Sequence, residues 1–171
     1  MKKIFIVLSM GFIFASSLSL FPANARALDA NTVWGQLKGE LLNKGLAAVD
    51  INASAQPVKT MLGLGANSAD MKSLLLEFAG KGFKGNDLGK LSTLVSELMK
   101  SGLPVKASET FVSNALQKAR ASGATGSGLI AKVQTLVNQK KEQLAQLKNI
   151  ADQNAQDVNK AKKKLNSILG R

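Results

Sequence analysis

The chain has 171 residues, of which 45% are hydrophobic and 20% charged, and its formal net charge is +12. This length suits one domain with its own hydrophobic core, and the composition argues against wholesale disorder and against a multi-span membrane protein. The sequence contains no cysteine and no histidine. It therefore excludes zinc sites built on thiolate or imidazole, histidine-ligated haem, iron–sulfur clusters, disulfides and catalytic groups that use imidazole or a thiol.

Residues 1–27 have the pattern of a cleaved secretory signal peptide. Lys2 and Lys3 form a basic start, residues 4–20 form an apolar stretch, and Ala25-Arg26-Ala27 supplies small residues for cleavage after Ala27. A retained membrane anchor is the alternative, but the apolar stretch is short for a bilayer span. The pattern predicts a Sec-type exported protein, located in a bacterial-type periplasm or secreted.

The basic charge is concentrated near the C-terminus. Removal of residues 1–27 leaves 20 basic and 11 acidic residues, a net charge of +9. Residues 129–171 hold nine of the basic residues and three of the acidic ones, so this quarter of the chain carries +6. Such a field attracts polyanions in general and does not by itself identify a partner.

The sequence of residues 28–171 predicts an all-α fold. We expect a bundle or stack of short helices followed by one long amphipathic C-terminal helix. Apolar residues recur at helical spacing, and glycines near positions 45, 65, 82, 102 and 123 mark left-handed helix ends. Pro57 suits the first turn of a helix. No segment alternates as a strand would. The predicted helices are 31–49, 56–63, 68–80, 86–101, 107–121 and 127–169.

Two segments, 82–95 and 123–137, resemble one another. Each begins with two glycines three residues apart and continues to a Leu-Val pair, and the two lie about 41 residues apart. A duplicated helical hairpin and chance similarity in a chain rich in Leu, Lys and Gly are both consistent with this one pair. The domain organisation is thus a signal peptide at 1–27, a short-helix domain at 28–126 and a long basic helix at 127–171.

The last predicted helix carries a continuous heptad stripe from Ile130 to Ile168. Ten of its twelve a and d positions are apolar, and the exceptions are Lys140 and Asn154. Three interpretations stay open: the shorter helices cover the stripe, two copies form a coiled coil through it, or it lies in the plane of a membrane. The candidate helix-packing residues are Val137, Leu144, Leu147, Ala151, Val158, Ala161, Leu165 and Ile168.

A basic cluster near the end of this helix is the candidate site for an anionic membrane surface or envelope polyanion. Its members are Lys160, Lys162, Lys163, Lys164 and Arg171. The alternative is that these cations offset the negative end of the helix dipole and keep the surface soluble. Specific nucleic-acid binding is disfavoured, because lysine far outnumbers arginine and few aromatic residues are present.

The sequence predicts no catalytic, metal-binding or cofactor-binding residue. The glycines from 123 to 128 have the spacing of a phosphate-binding loop, but Leu129 stands where that loop requires lysine. We therefore expect a non-catalytic binding or scaffold protein of the cell envelope, acting on a protein partner or on a second copy through its C-terminal helix. The alternatives are a periplasmic holdase-like chaperone and a hydrolase that needs neither His nor Cys.

Overall fold

The computed structural model describes residues 29–168, with side chains as far as residue 164. The predicted signal peptide lies outside the described residues. The chain there is all-α, as the sequence predicts, and five shorter helices precede one long C-terminal helix. The helices are α1 (Ala30–Asn43), α2 (Ala48–Gly63), α3 (Ser68–Gly80), α4 (Gly85–Lys100), α5 (Val105–Ala121) and α6 (Gly126–Ile168).

The five junctions between these helices share one backbone geometry. At each, a glycine has a φ between +79° and +98°, a region that favours glycine, and the next residue donates its N–H to the carbonyl five residues earlier at 3.0–3.2 Å. This is a Schellman end, and it confirms the left-handed helix ends predicted at the recurring glycines. The glycines are Gly45, Gly65, Gly82, Gly102 and Gly123.

The boundaries of the first two helices differ from the prediction. The first ends at Asn43 instead of residue 49, because the chain turns at Gly45, and the second begins at Ala48 instead of residue 56. Pro57 lies inside α2, although a proline is expected in the first turn of a helix. Because Pro57 has no N–H, it cannot donate the helical hydrogen bond to the carbonyl of Ala53.

Helix α4 comes close to α2 at this same carbonyl. A Cβ placed on Gly89 of α4 would lie 2.5 Å from the Ala53 oxygen. The contact between α2 and α4 is the most extensive between any two helices of the described chain. The absence of a side chain at Gly89 is therefore what allows the two backbones to approach.

The helices form two rows. In one row α2 packs on α4 and α4 on α6, and in the other α1 packs on α3 and α3 on α5. Each odd-numbered helix also packs on the even-numbered helix that follows it. The core between them is apolar, built from residues such as Leu41, Met61, Phe78, Leu91 and Val112.

The two similar segments occupy corresponding places in this arrangement. Segment 82–95 leads into α4 and segment 123–137 into α6, which are neighbours in one row. The second glycine of each pair also matches, since Gly85 has φ +50° and Gly126 has φ +52°. This likeness in backbone favours the duplicated hairpin, which stays a prediction.

Candidate binding surface on the C-terminal helix

Helix α6 divides into a packed half and a projecting half. Leu129, Ile130, Val133 and Val137 are buried against the other helices, and every described side chain from residue 145 to residue 164 is exposed. At 1.5 Å per residue, the helix from residue 145 to residue 168 extends about 36 Å. The folded body therefore covers the first part of the apolar stripe and leaves the remainder uncovered.

The structure separates the predicted stripe residues accordingly. Val137 is buried and Leu144 is half-buried. The next four, Leu147, Ala151, Val158 and Ala161, are exposed. The side chains of Leu165 and Ile168 lie outside the described residues. The interpretation that the shorter helices cover the stripe is thus correct as far as Leu144 and wrong for the four residues that follow.

The exposed stripe contains large apolar side chains. Leu147 is 61% exposed, and Ile150 and Val158 are each 54% exposed. Ile150 occupies a g position beside the a and d positions, so the predicted heptad stripe did not include it. Wider helical spacing, at 147, 150, 151, 154 and 158, would have included it. We refer to Leu147, Ile150, Ala151 and Val158 as the exposed stripe.

An ion pair joins α6 to the body where the burial ends. Lys141 Nζ lies 2.9 Å from Glu97 Oε2 on α4, and both side chains are about one-third exposed. Glu97 lies in the last turn of α4, three residues before its end at Lys100. The end of α4 therefore marks where α6 leaves the body.

The predicted basic cluster lies entirely on the projecting half. Lys160, Lys162, Lys163 and Lys164 are all exposed, whereas Arg171 lies outside the described residues. Lys160 contacts Asp157 at 3.5 Å, but both side chains are about three-quarters exposed, and such surface pairs contribute little stability. Lys160, Lys163 and Lys164 share one face of the helix, because residues spaced i, i+3 and i+4 are neighbours there, whereas Lys162 lies about 100° or more away from each of them.

A polar cluster between α3 and α5 was not found by sequence reasoning. Lys81 Nζ donates hydrogen bonds to Glu77 Oε1 at 2.5 Å and to Ser113 Oγ at 3.0 Å, and Ser113 donates to Glu77 at 2.8 Å. The hydrogen bond from Lys81 is the main cause that lowers the pKa of Glu77 from 4.5 to about 2. The i, i+4 spacing of Glu77 and Lys81 was the available signal, but nothing in the sequence placed Ser113 beside them.

Glu109 is the buried acid of this cluster. Burial raises its pKa above 4.5, against the opposing effect of Lys106, whose Nζ lies 3.1 Å from Glu109 Oε2. Glu109 Oε1 and the hydroxyl of Ser108 are buried without a hydrogen-bond partner. The nearby charge of Glu77 favours the protonated form of Glu109 further.

This cluster does not have the arrangement of a serine–lysine catalytic pair. Such a pair needs a neutral amine that accepts the serine proton. Lys81 instead forms an ion pair with the Glu77 carboxylate and donates to Ser113. The cluster therefore joins α3 to α5 through polar contacts, and it gives no support to the hydrolase alternative.

A second buried acid, Asp50, has a structural role in the first turn of α2. Its Oδ1 accepts a hydrogen bond from the N–H of Gly85 at 2.5 Å. This bond ties α2 to the first turn of α4, where backbone N–H groups lack helical partners. The open cleft beside it, lined by Leu46, Val49 and Lys84 among others, thus contains a carboxylate that is already engaged.

Within residues 29–168, no helix is both long and apolar enough to cross a bilayer. The same part of the chain contains no group of three or more acidic side chains placed to hold a metal ion. Comparison of the chain with protein-family models, with curated proteins and with solved structures gave no significant match. The function is therefore inferred from the surfaces described above.

Proposed function

We propose that the protein is an exported, non-catalytic binding or scaffold protein of the cell envelope, and that the projecting half of α6 is its working surface. The observation that carries this proposal is the exposure of Leu147, Ile150 and Val158 on a helix that continues well beyond its own core. Scattered single apolar residues are common on protein surfaces, but an apolar stripe along one helix is typical of a docking surface.

Covering the stripe would contribute free energy to the binding of a partner. Full burial of a Leu, Ile or Val side chain contributes about 1.5–3 kcal/mol. Since Leu147, Ile150 and Val158 are a little over half exposed, a partner that covers them would gain roughly 1 kcal/mol or more from each. The lysines nearby add attraction to an anionic partner and speed the encounter.

Export is supported by the sequence pattern of residues 1–27. The net charge of +9 after cleavage suits an environment with anionic surfaces. N-terminal sequencing of the native protein is expected to read from Leu28. A retained Met1 on a membrane-bound product would contradict the cleavage.

A co-purification experiment tests the binding function. The tagged protein is expected to retain a defined set of envelope proteins, and the double variant Leu147→Asp with Val158→Asp should lose them, because two charges would enter the apolar contact. The matched control, Asn149→Asp with Gln153→Asp, adds the same two charges on the opposite face and should retain the set. Equal retention by both variants would contradict the proposal.

A holdase-like chaperone is the second candidate function, and the same exposed stripe supports it. An accessible apolar helix face flanked by lysines can bind unfolded segments of many proteins. A holdase would suppress aggregation of an unrelated unfolded protein at equimolar ratio, and the stripe variant would not. A scaffold would leave that aggregation unchanged.

A further inference from the structure

One row of lysines follows the edge of the apolar stripe. With Val137, Leu144, Ala151 and Val158 at a positions, the e positions of successive heptads are 141, 148, 155 and 162. Lysine occupies three of these four, and Ala155 the other. Lys160 and Lys163 occupy c and f positions, which face away from the stripe.

The first lysine of this row shows how the stripe is covered inside the molecule. Lys141 pairs with Glu97 at 2.9 Å, and Glu97 belongs to α4, which packs along α6 beside the buried part of the stripe. Helix α4, one of the helices packed on α6, therefore supplies the carboxylate that pairs with the e-position lysine.

The same pattern continues on the projecting half without a covering helix. Lys148 lies one heptad beyond Lys141, and Lys162 lies two heptads further. In the part of the chain whose side chains are described, neither has a carboxylate within 4.0 Å, whereas Lys160 contacts Asp157. The exposed stripe thus combines an uncovered apolar face with an unmatched row of positive charge along one edge.

A second copy of this chain does not match that surface. In an antiparallel pair, e positions face e positions, so Lys148 and Lys162 of the two copies would approach one another. In a parallel pair the two folded bodies would meet, because the body of each copy already occupies the stripe side of α6 before residue 144. Repulsion between like charges opposes the antiparallel pair, and steric overlap of the folded bodies opposes the parallel pair.

We propose that the projecting half of α6 docks an acidic amphipathic helix of a partner protein. The apolar face of that helix covers Leu147, Ile150 and Val158, and its carboxylates pair with Lys148 and Lys162 as Glu97 pairs with Lys141. This inference rests on the proposed function and names the chemistry of the partner. It narrows the predicted basic cluster to Lys162, the member on the e edge of the stripe, and adds Lys148, while Lys164 occupies a g position on the other edge.

The probe is a synthetic helical peptide of four heptads, with leucine at its a and d positions and glutamate at its e and g positions. Calorimetric titration measures its affinity for the full chain. Charge reversal at the stripe edge, Lys148→Glu with Lys162→Glu, is expected to weaken binding about tenfold or more. The matched control, Lys160→Glu with Lys163→Glu, changes the net charge equally on the other face and should weaken binding less than about twofold. A peptide with lysine in place of glutamate should prefer the edge-reversed variant.

Equal weakening by the two double variants would overturn the inference, because it would show attraction by net charge alone. Dimerisation of the protein through the stripe in sedimentation experiments would assign the surface to a second copy. Stronger binding to vesicles of phosphatidylglycerol than to the peptide would assign it to a membrane. Either result would overturn the inference.

The same titration separates this inference from the proposed function. Loss of peptide binding in the variant Leu147→Asp with Val158→Asp, without an effect of the edge lysines, would refute the inference and leave the docking function standing. Peptide binding that neither pair of substitutions reduces would refute both.

Discussion

Replacing Gly89 with alanine would place a methyl group 2.5 Å from the carbonyl oxygen of Ala53 and 3.1 Å from its carbon. Real Cβ contacts are almost never shorter than 3.0 Å. The atoms in the way are backbone, so α2 and α4 must move apart. Overpacking of this kind costs about 1–3 kcal/mol, and a backbone obstacle favours the upper end. Alanine gains roughly 1 kcal/mol over glycine in a helix, which leaves a net loss of about 2 kcal/mol.

Urea unfolding followed by circular dichroism measures this loss. The control is Gly39→Ala in α1, where a Cβ meets nothing within 4 Å, so its free energy of unfolding should rise by about 0.5–1 kcal/mol. The two variants are thus expected to differ by roughly 3 kcal/mol. A Gly89→Ala variant as stable as the wild type would refute the close approach of α2 and α4.

Four further substitutions test the polar cluster and the two halves of α6. Glu109→Gln should raise the melting temperature at pH 7. Burial raises the pKa of Glu109, so the wild-type fold loses stability as pH rises through that raised value. The gain in melting temperature should vanish below pH 4.5, where the carboxyl is protonated in both the folded and the unfolded state. Glu77 stabilises the fold above pH 4.5, and this contribution is lost as pH falls toward about 2. Thermal melts of Glu77→Gln should therefore show lower stability than the wild type at pH 7, and a smaller loss of stability between pH 4.5 and about 2. Leu147→Asp should change the free energy of unfolding by less than about 0.5 kcal/mol, whereas Val133→Asp, which buries an unpaired charge, should cost about 3–5 kcal/mol. Equal losses in the last two variants would contradict the division of α6 into packed and projecting halves.

Periodicity and glycine placement were sufficient to predict the fold class and the long C-terminal helix. The recurring glycines predicted the helix ends because a Schellman end requires a left-handed residue, and few residues other than glycine adopt that conformation. The preference of proline for the first turn of a helix led to a wrong predicted start for α2, because packing places Pro57 inside that helix. The contact between Ala53 and Gly89, 36 residues apart, has no local signature.

The exposed stripe and the lysines beside it could be predicted only in part. The heptad pattern identified Leu147 and Val158, but periodicity is the same whether a stripe is buried or exposed, so the division near Leu144 depends on where α4 ends. The lysines near position 160 form a cluster in the sequence, but the helix places Lys160, Lys163 and Lys164 on one face and Lys162 on another. Glu77 and Ser113 lie on separate helices, so the spacing of residues in the sequence could not predict their contact.

Site-specific photo-cross-linking in cells tests the central claim most directly. A photoreactive amino acid at position 147 or 158 should yield a discrete cross-linked partner, and the same group at position 153, on the opposite face of α6, should yield none. Cross-linking of equal strength from both faces, or none from the stripe positions when the protein is folded and exported, would contradict the claim that the projecting half of α6 is a docking surface.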